Sequence, residues 1–143
     1  MPKRSQAVLL FSAAIFVAAL APCLMFGFLF ARFDESVVGL VTSLLWCSLP
    51  VFASVWSGVM ASYFIRRRGS IGFWRGAATG VVVLLGCSLL WSFVMTTVSG
   101  NATPAGFAAV VTFALAMFGV LAAGVGGMSG WLTSRLLRDK AAS

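Results

Sequence analysis

Four long apolar runs alternate with short polar breaks along the chain: residues 7–30, 37–65, 77–98 and 105–134. None of the four contains Asp, Glu, Lys, Arg, His, Asn or Gln. Each reaches the roughly 20 residues a helix needs to cross a hydrocarbon core about 30 Å thick. Each is also too long for an ordinary strand, and small and large residues separate at helical spacing. The pattern therefore predicts four membrane-spanning helices and not a barrel. The breaks at 31–36, 66–76 and 99–104 are short, which makes consecutive helices antiparallel neighbours. The expected fold is all-α: an integral membrane bundle of four antiparallel transmembrane helices forming one domain over residues 1–143. Gly100, Asn101 and Pro104 supply turn chemistry at the third break. Asn101-Ala102-Thr103 matches a glycosylation acceptor, but chance explains it better in so tight a turn. The first run has a rival reading as a signal peptide, with Ala19-Leu20-Ala21 before a cut and Cys23 as in a lipoprotein. Pro22 is misplaced for either cut and the apolar run continues to Phe30, so the run is expected to stay as a helix.

Helices in lipid gain little by hiding apolar surface from each other and associate by close packing, so small residues mark contact faces. The second run places Ser43, Cys47, Pro50, Ser54, Ser57 and Ala61 on one face, expected to meet protein. Leu45, Leu49, Phe52, Trp56 and Val59 are expected to meet lipid. The fourth run carries a stronger stripe: Thr112, Ala116, Gly119, Ala123, Gly127, Gly130 and Ser134, with Gly124 and Gly126 adjoining. So many glycines would weaken a helix in water and suit the close approach of another backbone. That approach is expected either inside the bundle or from a partner. Gly72, Gly76 and Gly80, again four apart, lead into the third helix. Ser-Leu-Leu-Trp occurs at 43–46 and 88–91; an inverted repeat would suggest a transporter, and coincidence is the simpler account of four letters.

Charge orients the bundle. Lys3, Arg4, Arg66, Arg67, Arg68, Arg75, Arg135, Arg138 and Lys140 fall on one side of four crossings, and only Arg32, beside Asp34 and Glu35, falls on the other. Positive residues resist translocation, so both termini are expected in the cytoplasm. The net charge of +7 is explained by this asymmetry, and no nucleic-acid partner is expected. Arg66, Arg67, Arg68, Trp74 and Arg75 read as a topology anchor or a lipid-headgroup contact, with Trp131 at the same boundary.

Composition narrows the chemistry. The chain is 61% hydrophobic and 9% charged, with no His and three acids, Asp34, Glu35 and Asp139. That leaves no general acid or base within the spans, so no enzyme activity is expected. Cys23, Cys47 and Cys87 sit on three helices without metal-ligand spacing, and no metal or cofactor is expected. Trp46 and Trp91 have comparable depth and offer an aromatic pocket or simple filling. An ion-coupled transporter keeps an ionisable group in the membrane, and this chain has none there.

Arg67-Arg68-Gly69-Ser70-Ile71-Gly72-Phe73-Trp74-Arg75-Gly76, with Gly58 and Ala61 before it and Gly80 after it, and the closing Gly126-Gly127-Met128-Ser129-Gly130 carry a resemblance. They resemble a family of small four-helix bacterial membrane proteins of uncharacterised function, in which a Gly-rich basic loop joins helices two and three. The resemblance covers about half the chain, implies a multi-pass protein of the bacterial cytoplasmic (inner) membrane, and transfers no catalytic residue. The Ser-rich second helix departs from that family. The expected function is a non-enzymatic accessory, regulatory or immunity-type subunit working by helix–helix contact with a membrane partner or a second copy. The contact residues would be Gly119, Ala123, Gly127, Gly130, Ser43, Cys47, Ser54 and Ser57. The alternative is an oligomeric channel or transporter subunit for a neutral solute.

Overall fold

In the computed structural model, which describes residues 2–33, 36–100 and 103–139, the apolar runs form four helices: α1 (Pro2–Phe33), α2 (Val37–Arg68), α3 (Gly72–Ser99) and α4 (Pro104–Asp139). All four are long and apolar enough to cross a membrane, and the described residues contain no strand. Asp34, Glu35, Asn101 and Lys140 lie outside the described residues.

The helices outrun their apolar spans. Residues 66–76, expected as a loop, shrink to 69–71. Arg66, Arg67 and Arg68 form the last turn of α2, where cations suit the negative end of the helix dipole. Gly69 then takes a left-handed conformation (φ 72°) and its N–H donates to the Ile65 carbonyl at 3.0 Å, closing the helix. Apolarity marks what dissolves in hydrocarbon; it does not mark where a helix ends. At the other end of α2, Ser36 caps by accepting from the Gly39 amide at 3.2 Å. Pro22 and Pro50 both sit within unbroken helices.

α1 packs closely on α2 and α3 on α4, while the α1–α4 and α2–α3 contacts are much sparser. The fold is thus two tight hairpins set side by side. Gly27 meets Ser43 and Cys47, and Gly58 meets Val8 and Ser12, so α1 and α2 run antiparallel. The α3–α4 hairpin has a backbone-on-backbone seam. A Cβ on Gly76 would fall on the Gly126 carbonyl, one on Gly80 on that of Ala122, and one on Gly130 on that of Gly72. Glycine α-hydrogens therefore face carbonyls across the seam, a weak interaction of about 0.5–1 kcal/mol each.

The seam is turned by about one residue from the stripe the sequence suggested. It runs through Ala122, Gly126 and Gly130. Burial on α4 is confined to Gly126, Gly127, Ser129, Gly130, Thr133 and Ser134. Thr112 and Ala116 are exposed, and Gly119 and Ala123 are half-buried. The main buried cluster lies toward the same end, where Ala7, Phe11, Ala61, Ile65 and Ile71 join α1, α2 and the 69–71 link. The end carrying Arg66–68 is closed; the opposite half is looser.

Gly126→Ala forces the seam apart and is expected to destabilise the bundle by about 1–3 kcal/mol, read by denaturant titration in micelles. Gly124→Ala, with nothing within 4 Å, is expected to be neutral or slightly stabilising. Equal effects of the two substitutions would contradict the seam.

Candidate functional site: an apolar cleft between the hairpins

Where the two hairpins part, a cavity of about 560 Å³ opens between them, lined by all four helices. Its lining runs from Ile15 to Phe26 on α1, Trp46 to Ala53 on α2, Gly80 to Trp91 on α3 and Ala109 to Val125 on α4. On the α2–α3 side its wall is sealed: Leu49, Ala53, Val83 and Ser88 are all buried. On the α1–α4 side Ala18, Ala109, Phe113 and Leu121 are exposed. The cleft therefore opens sideways, between α1 and α4.

One wall is aromatic. Phe26 stacks on Trp46 with centroids 4.9 Å apart and planes 24° apart, and Trp46 meets Trp91 at 4.8 Å and 49°. Phe118 approaches Phe26 edge-on at 6.4 Å. A continuous chain of rings thus ties α3, α2, α1 and α4 together. The sequence placed Trp46 and Trp91 at comparable depth; the structure brings them into contact on the cleft wall. It also adds Phe26 and Phe118, which the sequence reading missed because Phe is common throughout these helices.

The faces of α2 differ in part from expectation. Ser43, Pro50, Ser57 and Ala61 are buried and Ser54 is half-buried, whereas Cys47 is exposed although its Sγ packs beside Gly27 of α1. Leu49, expected to meet lipid, is buried on the cleft wall; Trp56 is exposed as expected, with one edge of its ring over Gly86 of α3. Between hairpins that stand apart, large side chains reach inward where small ones would leave a gap. The stripe on α4 divides. Gly127 packs under the Phe73 ring and Gly130 lies in the seam, so both are occupied inside the chain. Gly119 meets only Leu115 of its own helix.

Polarity within the spans is satisfied locally. Thr42, Ser43, Ser57, Thr79, Ser88 and Thr133 each donate to a carbonyl three or four residues back on their own helix. Thr42 also reaches Met95 Sδ across to α3 at 3.4 Å. Ser48 donates to Leu45 and not to Trp46, whose carbonyl faces the missing amide of Pro50. The buried Trp46 Nε1 and Ser92 Oγ have no hydrogen-bond partner. The three cysteines are free thiols, and no cluster of His, Cys, Asp or Glu among the described residues could hold a metal.

Charge gathers at the closed end. Arg66, Arg67 and Arg68 are exposed there, as is Trp74 at 82%. Arg75 is half-buried and donates to the Ser70 carbonyl at 3.4 Å. Arg67 lies over the Tyr63 ring and Arg135 over Trp131, each 5.4 Å from the centroid. Arg135 also pairs with Asp139 at 3.9 Å. Comparison with known protein families, curated proteins and solved structures gave no match.

Trp46→Ala removes the central ring of the aromatic chain and is expected to lower stability in micelles by roughly 3–5 kcal/mol, as large core truncations do. Trp74→Ala, at an exposed position, is expected to change it by less than about 0.5 kcal/mol. Comparable losses for the two would mean that the aromatic chain does not hold the hairpins together.

Proposed function

We propose that the chain is a non-enzymatic, multi-pass protein of a bacterial inner membrane that acts by helix–helix contact as an accessory, regulatory or immunity-type subunit. Its basic end lies in the cytoplasm in this reading, because positive residues resist translocation. Arg66, Arg67, Arg68, Trp74 and Arg75 then lie at the headgroup level and contact membrane lipids. The family likeness and the bacterial setting rest on the sequence pattern alone.

One observation carries the reading. On α4, Thr112, Ala116, Gly119 and Ala123 make a narrow strip of small residues, the first two exposed and the last two half-buried, on the side of the helix away from the cleft. In a bilayer such a strip lets a second backbone come close, as Gly126 and Gly130 already let α3 come close. The partner helix comes from another membrane protein or a second copy of this chain. Gly127, Gly130, Ser43 and Ser57 serve internal packing instead. The channel reading draws less support. The cleft lining is almost wholly apolar, and its Ser88 hydroxyl already donates to Leu84, so no row of polar groups is present to carry a hydrated solute.

A photo-reactive benzoylphenylalanine in place of Ala116 is expected to give a discrete protein adduct in native membranes. The same probe in place of Met128, exposed at 66%, is expected to give lipid adducts only. Gly119→Leu is expected to abolish the first adduct while leaving insertion intact. Lipid-only adducts at both positions would contradict the proposal.

A further inference from the structure

The cleft differs from the α4 strip in what it can hold. A transmembrane helix about 10 Å wide and 30 Å long fills more than about 2,000 Å³. At about 560 Å³ the cleft is too small for one. Its lining has no acid, base or amide, and its Ser88 hydroxyl already donates to the Leu84 carbonyl. The Trp46 indole N–H is buried within the wall and is not presented to the cleft. A polar or charged group placed inside would therefore lose its solvation and gain no partner. Left empty, the walls would forfeit dispersion contacts on one side. What fills the space is hydrocarbon.

Shape and position say which hydrocarbon. On α1 the lining runs eleven residues from Ile15 to Phe26, about 16 Å along the axis at 1.5 Å per residue. One leaflet supplies about half of a 30 Å hydrocarbon core, or about 15 Å. A volume of about 560 Å³ over that length leaves a cross-section of about 35 Å². That is room for one extended chain and little more. On α1 and α4 the lining starts at Phe26 and Ala109, each four residues inside its apolar run at the end away from Arg66–68. It stops at Ile15 and Val125, eight and nine residues short of the other end. The cleft is thus nearer the leaflet opposite the arginines. At that end Phe26, Trp46 and Trp91 close α1, α2 and α3 together, which leaves the exposed Ala18, Ala109 and Phe113 side as the way in.

We propose that the cleft seats one acyl chain of a phospholipid from the leaflet opposite the arginine-bearing end. The chain enters between α1 and α4, runs along the aromatic wall, and ends toward Gly80, where the α3–α4 seam closes the space. The headgroup stays outside, at the membrane surface. Binding is non-covalent and fills a gap that the two hairpins leave between them.

The proposal rests on the membrane reading, so incorporation into phospholipid nanodiscs is scored first and separately. The test uses the full chain with Trp56, Trp74 and Trp131 replaced by Phe, which leaves Trp46 and Trp91, both on the cleft wall, as the fluorophores. The probe is phosphatidylcholine with two bromine atoms midway along its acyl chains, which quench indoles they touch. Mixed into the nanodisc lipid, it is expected to quench Trp46 and Trp91 strongly. Ala114→Phe fills the cleft and Ala18→Phe narrows its opening; each is expected to remove most of that quenching, with folding checked by circular dichroism. Val120→Phe, on an exposed position outside the cleft, is expected to leave it unchanged. Absence of quenching in the chain without these phenylalanines would overturn the proposal and point to a second protein copy or an empty cleft. Equal quenching with Phe at 114, 18 or 120 would also overturn it, because the bromines would then reach the indoles from the outer surface alone.

Discussion

The contact on which this structure depends is the close approach of α3 and α4 along Gly72, Gly76 and Gly80 on one side and Ala122, Gly126 and Gly130 on the other. In hydrocarbon a leucine gains little by leaving lipid for protein, so helices hold together through fit and proximity. A glycine seam supplies both, because two backbones come within reach of each other's carbonyls. The rest of the architecture follows from where the seam stops. Beyond Gly80, α3 continues with Val81, Val82, Val83 and Leu84, and burial on α4 ends at Gly126. One half of the molecule is therefore closed and the other holds a cleft.

The distribution of chemistry matches that asymmetry. The closed end carries Arg66, Arg67, Arg68, Arg75, Arg135 and Arg138, and the opposite end has Arg32 as its one described cation. The hydroxyls along the spans are bound to their own helices and behave as small packing residues. What remains unabsorbed is a strip of small residues on α4 and an apolar cleft between the hairpins. They lie on nearly opposite faces of α4, so a partner on the strip leaves the cleft open.

Much of the fold was legible in the sequence because apolar length is a coarse signal that tertiary packing cannot erase. Four runs free of ionisable and amide side chains gave four helices. The contact faces were less legible. Small residues cover so much of α4 that several stripes fit, and only the partner glycines on α3 choose among them; that choice turned the seam by about one residue. Leu49 was placed outward because a large residue usually faces lipid, a rule that fails beside a cleft. The aromatic wall was half legible, since depth paired Trp46 with Trp91 but nothing in the sequence distinguished Phe26 or Phe118 from the other phenylalanines.

The most direct test of the seam is a distance between α3 and α4 measured in a bilayer. Spin labels on cysteines replacing the exposed Trp74 and Leu132, in a chain whose native cysteines are changed to Ala, report it by pulsed electron resonance in nanodiscs. A single narrow distribution is expected for the native seam, and a broad, longer one once Gly126→Leu is added. The same narrow distribution with Leu at 126 would show that the glycines do not hold these helices together.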